Sequence, residues 1–288
     1  MTKNYFQIKF GEFFSFWRSK IRIQTYSLPV SSLRSAVKLR VYLPIHYRWQ
    51  FWKRYPLLFF NDGQDMEAIR LLPQLQALYQ AGQIPPLIVV ALHAGDRMQE
   101  YGTSGQADYK NRGSRAGAYA EFVTRQLLPF LHGRFRCRQE AASTSFAGFS
   151  LGGLSAFDLV WQHPEHFGQV GVFSGALWWR SEPFRPDDPD ADRIVHDGVS
   201  RDAIRPGLRF WFQAGTLDEE SDRNQNGVID AIDDTLDLID ILQSKGYPSS
   251  AIRYVEVEGG RHHPDTWGEV LPDFLRWAYG RSNKEFLK

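Results

Sequence analysis

Cysteine is almost missing from this 288-residue chain: Cys137 stands alone. That excludes an internal disulfide and a cysteine-based metal centre. No thiol-activating pattern surrounds Cys137, so it reads as a passive thiol. A surplus of charge is missing too. The 34 Lys and Arg meet 33 Asp and Glu, for a formal net charge of +1. The overall balance therefore favours neither nucleic acid nor an anionic membrane as partner. No apolar run approaches the ~20 residues of a membrane span. Phe13–Trp17 is too short for the core of a signal peptide and is followed by Arg18 and Lys20. A soluble, cytoplasmic protein is the expectation. The sequence also shows no internal repeat, low-complexity tract or linker. What it does have is core material, 43% hydrophobic and 15% aromatic residues.

Residues 1–20 are aromatic and basic without a clear period. They read as an N-terminal extension to one domain over residues 21–288. Eight segments look like strands: Ile21–Tyr26, Val37–Leu43, Pro56–Phe60, Leu87–Leu92, Ala141–Ala147, Gln169–Phe173, Leu208–Gln213 and Ala251–Val257. Continuous apolar runs such as Pro56–Phe60 are expected where both faces of a strand are buried. Helical spacing appears from near Pro73 to Gly82, from Tyr119 to Leu131, from Leu154 to Trp161, from Ile232 to Leu242 and from Val270 to Ala278. Two long connections remain, His93–Gly113 and 174–207, and loops of that length are usually functional or disordered. Strands alternating with helices argue one α/β domain with a mostly parallel sheet of about eight strands flanked by helices.

The chain is organised around Gly148-Phe149-Ser150-Leu151-Gly152, extended by Gly153. A serine nucleophile is most exposed on a sharp strand-to-helix turn, where glycines remove side chains that would clash. The helix start then aims free N–H groups at charge developing beside Ser150. Serine needs a base, commonly a histidine oriented by a carboxylate. In parallel α/β folds such groups sit in loops after strand carboxyl ends, in the chain order Ser, Asp or Glu, His. After Ala251–Val257 comes Glu258-Gly259-Gly260-Arg261-His262-His263. His163 and His166 lie at a helix end, and His196 in the 174–207 connection reads as solvated. After Leu208–Gln213 comes Asp218. The oxyanion needs two backbone donors: Leu151, directly after the nucleophile, and Gln64 in Asn61-Asp62-Gly63-Gln64. Trp178, Trp179 and Tyr101 are candidates to line a pocket.

These residues resemble the esterase family of α/β-hydrolases that includes enterochelin, feruloyl and acetylxylan esterases, S-formylglutathione hydrolases and mycolyltransferases. The resemblance rests on Val41-Tyr42-Leu43-Pro44, Asp62-Gly63-Gln64, Arg97 with Glu100-Tyr101, Gly148 to Gly153, and Gly259-Gly260-Arg261-His262 with Trp267. It implies a serine carboxylester hydrolase, with Ser150 as nucleophile, His262 as base, an acid in the loop of Asp218, and Gln64 as second oxyanion donor. A small-molecule ester is the implied partner. This chain departs from the pattern where Arg261 separates the paired glycines from the histidine and His263 duplicates it.

A second constellation is Asp222-Arg223-Asn224-Gln225-Asn226-Gly227-Val228-Ile229-Asp230-Ala231-Ile232-Asp233. Oxygen side chains stand first, third, fifth, ninth and twelfth, and glycine sixth. This is the twelve-residue calcium-loop pattern and looks especially like dockerin loops. The expected structural Ca2+ has Asp222, Asn224, Asn226, Val228 (by its carbonyl), Asp230 and Asp233 as ligands. Asp218 to Asp240 holds nine carboxylates and one cation, Arg223, a density that is costly without a counterion. Two other readings use the same residues: acyl transfer to an alcohol, and a non-catalytic calcium-dependent binding module.

Overall fold

The computed structural model describes residues 20–280; the expected N-terminal extension lies almost wholly outside them. Eight strands form one sheet in the order β1-β2-β4-β3-β5-β6-β7-β8. They are β1 (Arg22–Val30), β2 (Ser35–Leu43), β3 (Leu57–Phe60), β4 (Ile88–Leu92), β5 (Thr144–Phe149), β6 (Gln169–Phe173), β7 (Arg209–Leu217) and β8 (Ile252–Arg261). β1 and β2 form an antiparallel hairpin, β2 joins β4 antiparallel, and β4 through β8 run parallel.

Alternate residues of the central strands feed two separate cores. Leu57, Phe59, Ile88 and Val90 face a layer built from three stretches of helix. The first stretch is α2 (Ala116–Glu121), continuing through a π turn (Phe122–Leu127) into α3 (Leu128–Arg134); the others are α4 (Leu151–Gln162) and α6 (Asp230–Ser244). Leu58, Phe60, Val89 and Ala91 face the other layer, α1 (Leu71–Gln80) and α7 (Pro264–Tyr279). Phe274 anchors α7 there by meeting Phe60, Phe173 and Trp211 edge-on, and a Cβ on Gly171 would lie 2.6 Å from its ring. Truncating such a ring costs about 3–5 kcal/mol. The edge strands β1 and β8 alternate in exposure, as one-sided strands do.

Three departures from the sequence reading have local causes. The 116–134 helix widens before Pro129, which crowds the preceding turn and lacks an N–H; Leu128 N–H instead reaches back five residues to Val123. The 174–207 connection contains α5 (Ile194–Arg201). β7 and β8 run farther than their hydrophobic patterns, to Leu217 and Arg261, because main-chain pairing continues past the last core side chains. No described helix is long and apolar enough to cross a membrane.

Candidate active site

Ser150 follows the last residue of β5 and precedes the first of α4, with φ 54° and ψ −124°. L-residues rarely enter that region, and persist there only when the surroundings fix them. Main-chain bonds do so here. Ser150 N–H donates to the Phe173 carbonyl at 2.9 Å, and the Ser150 carbonyl accepts from Gly153, Leu154 and Ala176 at 2.9, 3.1 and 3.1 Å. A Cβ on Gly148 would stand 2.2 Å from the Gly152 oxygen, and one on Gly152 would stand 2.5 Å from Asp62 Oδ2. Both glycines are therefore steric necessities. The N–H groups of Leu151 and Gly152 open the helix, where α-helices leave donors without intrahelical partners.

The turn after β3 locks against this elbow. The Asn61 side chain donates to the Gly152 carbonyl at 2.8 Å and accepts from Tyr119 Oη at 2.6 Å. Asp62 takes both arms of Arg97, Nε–Oδ1 at 2.8 Å and Nη2–Oδ2 at 3.0 Å, while its N–H donates to Tyr101 Oη at 3.0 Å. Arg97 also donates to the Phe149 carbonyl at 3.2 Å, tying turn to elbow. A Cβ on Gly63 would meet the Ala91 backbone at 2.7 Å, so glycine lets the chain pass over β4. Gln64 then stands in the first turn of a short 3-10 helix, Gly63–Met66, where N–H groups have no partner within the turn. Its side chain bridges the Asp62 carboxylate and the Ala94 N–H at 3.0 and 3.3 Å.

Leu217 of β7 pairs with Arg261 of β8. Asp218 and His262 each follow one residue later, on adjacent strand ends. The strands approach so closely that a Cβ on Gly215 would meet the Gly260 oxygen at 2.4 Å and Asp218 Oδ1 at 2.8 Å. Asp218 Oδ2 accepts from the Gly215 N–H at 2.9 Å, whereas Oδ1 is buried without a hydrogen-bond partner. The His262 ring stands edge-on to Trp267, with centroids 5.3 Å apart. Trp267 stacks on Phe149 at 4.8 Å and donates Nε1–H to Ser174 Oγ at 2.9 Å. Phe149, Trp267 and His262 thus form a brace from elbow to imidazole. His263 turns away: its Nδ1 caps α7 by accepting the Asp265 N–H at 3.3 Å. No hydrogen bond links Ser150, His262 and Asp218 among the described residues.

The outer face of His262 meets solvent, but neighbours crowd its inner side. Burial is the largest influence on the imidazole and holds its pKa below the ordinary value; Arg97 adds to that lowering, and the Asp218 carboxylate opposes it. A cavity of about 540 Å³ opens beside the ring, lined in part by Glu258, Gly260, Arg261, Thr266 and Glu269.

The acidic segment is balanced from inside the protein. Arg223 is buried, with ion pairs to Asp190 at 2.7 Å, Asp234 at 2.9 Å and Asp230 at 3.1 Å. Arg193 meets Asp234 and Asp237, each at 2.7 Å. The loop makes a tight turn: Gly227 has φ 88°, and Asp222 accepts the N–H groups of Asn226 and Gly227 at 3.1 and 2.9 Å. The amides of Asn224 and Asn226 both donate to Asp233 Oδ2, at 3.1 and 2.8 Å. Asp230 turns to Arg223, accepting its backbone N–H at 2.8 Å. Among the described residues no three His, Cys, Asp or Glu side chains are gathered closely enough to hold a metal by themselves. Glu219, between this segment and Asp218, is pushed up to about 6 by burial and by Asp230, Asp234 and Asp218.

With this geometry in view, the profile of the family described as "Putative esterase" matches residues 30–278. The chain belongs to that family. It is a carboxylic ester hydrolase. Similar proteins include the uncharacterized protein YbbA of Bacillus subtilis (strain 168), 23% identical over 85% of this chain and 93% of its own length. The iron(III) enterobactin esterase of Escherichia coli (strain K12) is 28% identical over 56% of this chain, a match spanning 37% of that protein. A solved ferulic acid esterase superposes with a TM-score of 0.70 at 18% identity, covering 91% of this chain and 99% of its own, which shows a shared fold.

Several residues of this esterase sit differently from the sequence reading. Tyr101 and Trp179 are packed in the core and line no open pocket; only Trp178 is exposed. Arg112 stacks over both tryptophans, at 5.2 and 4.7 Å. His196, read as solvated, is buried, with Nε2 2.8 Å from the Asp234 carbonyl and its pKa lowered to about 3 by burial and the neighbouring arginines. The Arg97–Asp62 clamp and the Trp267 brace escaped the residue-by-residue reading. Their residues belong to the family motifs, but only distances give them a task.

Proposed function

We propose that this esterase is a serine hydrolase using Ser150 as nucleophile, His262 as general base and Asp218 as the carboxylate that orients His262. The observation that carries this reading is the Leu217–Arg261 pairing, which puts Asp218 and His262 side by side while Asp218 Oδ1 is buried and lacks a donor. A buried carboxylate oxygen without a partner is costly, and the N–H of a neighbouring imidazole is the donor it lacks. In the unliganded protein such hydrogen bonds are often long and tighten with substrate.

Ser150 Oγ attacks the ester carbonyl carbon and its proton passes to the distal nitrogen of His262. The carbonyl oxygen becomes an oxyanion, held by the N–H groups of Leu151 and Gln64. Collapse breaks the ester C–O bond, and the leaving alkoxide takes the proton from His262. Water repeats the sequence on the acyl-enzyme and releases the acid. The Arg97 clamp fixes the Gln64 turn relative to the elbow, so the two donors keep their spacing. The cavity beside His262 gives the leaving alcohol room. Relatives named for enterobactin and ferulic acid make aryl-containing esters the first substrates to try.

The calcium reading belongs to the same proposal. Asp222, Asn224, Asn226, the Val228 carbonyl and Asp233 would hold the ion, with the two amides turned to present oxygen. Asp230 stays with Arg223. Bound there, calcium would supply no chemistry; it would fix the segment that begins at Asp222, four residues beyond Asp218.

Turnover of acetyl, feruloyl and longer acyl esters by wild type and Ser150→Ala tests the proposal. Ser150→Ala is expected to lose roughly three to six orders of magnitude in kcat while melting as wild type. Retention of a tenth of the wild-type rate rejects Ser150.

A further inference from the structure

Charge and apolar surface are not spread evenly over this molecule, although its net charge is near zero. Between Lys20 and Pro56 the chain carries eight Lys and Arg and no Asp or Glu. The loop joining β2 to β3 lies at the amino ends of the parallel strands, the pole opposite Ser150. On it Trp49 is 49% exposed, Phe51 73% and Trp52 72%. Phe51 and Trp52 touch edge-on at 5.0 Å, and Arg48 lies over Trp49 at 5.8 Å. Lys53 and Arg54 follow directly.

A second basic strip is bonded to that loop. Tyr55 N–H donates to the Arg136 carbonyl and Arg138 N–H to the Tyr55 carbonyl, both at 2.8 Å. Arg54 donates to the Cys137 carbonyl at 3.2 Å, and Arg136 lies 3.9 Å over the Tyr47 ring. The aromatics therefore project from a braced, cationic platform. The first residue of β1, Arg22, pairs with Leu43 at the foot of the same loop. Nineteen residues precede Lys20 in the sequence. Their sequence holds seven aromatics and three Lys and Arg against Glu12 alone.

Scattered single exposed rings need no explanation, but a cluster this large marks a contact surface. Trp and Phe beside Lys and Arg suit the headgroup region of a bilayer, where rings leave water and cations meet anionic lipid. A soluble polyanion would engage the arginines but leave Phe51 and Trp52 in water. We propose that the pole bearing Trp49, Phe51 and Trp52 with Arg48, Lys53 and Arg54 docks on anionic lipid surfaces, leaving the Ser150 pole facing water. This departs from the partner expectation drawn from net charge, which averages a basic pole against the acidic 218–240 segment.

The test is co-sedimentation of the full chain with vesicles of equimolar phosphatidylglycerol and phosphatidylcholine, against vesicles of phosphatidylcholine alone. Binding to the mixed vesicles is expected, weakened at least tenfold on neutral vesicles or in molar salt. Joint Arg48→Gln, Lys53→Gln and Arg54→Gln substitution is expected to weaken it about a hundredfold, at roughly 1 kcal/mol per cation. Phe51→Ala with Trp52→Ala is expected to weaken it about tenfold or more. Both variants should keep wild-type turnover of a soluble ester, which shows that they are folded. Failure of the full chain to bind the mixed vesicles overturns the proposal. So does binding that both loop variants leave unchanged, or binding to soluble DNA without binding to vesicles.

Discussion

The Ser150 elbow and the acidic segment 218–240 are both built from local sequence patterns, yet the two patterns carry different amounts of structural information. At the elbow the tightest determinant is steric and lies between two nearby glycines, Gly148 and Gly152. A Cβ on Gly148 collides with the Gly152 backbone, so the glycines and the strained Ser150 come together. In the acidic segment the determinants are electrostatic and come from elsewhere. Nine carboxylates around one arginine look short of cations, but Arg193 arrives from the 174–207 connection and Arg223 folds inward. Short-range repulsion can be read from neighbours in sequence, whereas charge balance depends on residues brought in by the fold.

The sharpest way to break this comparison is to separate the two adjacent histidines. His262→Ala is expected to lose more than about a thousandfold in kcat/KM, and His263→Ala to stay within about threefold, because His263 only caps α7. The pH profile sharpens the assignment. A general base acts when neutral, and burial holds His262 below the ordinary ~6.5. Activity should therefore rise with pH through a midpoint below that value and stay flat above it. In Asp218→Asn the opposing carboxylate is gone, so the midpoint should fall further while the rate drops by about 10⁴. Equal losses from the two histidine variants would unseat His262.

A smaller effect probes the other region. Arg223→Met leaves Asp234, which is fully buried, with Arg193 as its remaining partner. Removing one member of a buried ion-pair network costs about 3–5 kcal/mol. Denaturant unfolding should show that loss; a change under ~1 kcal/mol would mean the arginine is not the segment's counterion.

Calcium gives the smallest and most conditional shift. Ligands selective for the folded state stabilise by RT ln(1 + [L]/Kd), about 2.7 kcal/mol at a hundredfold Kd. Calcium added to EGTA-treated protein should raise Tm and restore any lost turnover, and Asp222→Ala should abolish both responses. No response in protein shown to be metal-free reduces the loop to a turn held by its own Asx bonds.

The sheet was legible in sequence because its central strands are apolar on both faces, and the places of Ser150, Asp218 and His262 at strand ends because each follows a segment that reads as a strand. Other features were hidden for physical reasons. β7 and β8 lengthen through main-chain pairing that no side chain announces. His196 is buried by helix α6 packing over it, with its Nε2 2.8 Å from the Asp234 carbonyl. Tyr101 serves the site through one hydroxyl 3.0 Å from the Asp62 N–H, a task no spacing reveals. The aromatic loop at residues 49–52 was legible letter by letter, but its exposure is a property of the fold alone.

The most direct test of the central claim is labelling with a fluorophosphonate, mapped by mass spectrometry of the digested protein. The account predicts a single adduct on Ser150, lost in Ser150→Ala, slowed at least a hundredfold in His262→Ala and unchanged in His263→Ala. An adduct on another residue, or labelling of Ser150 at the same rate without His262, would contradict it.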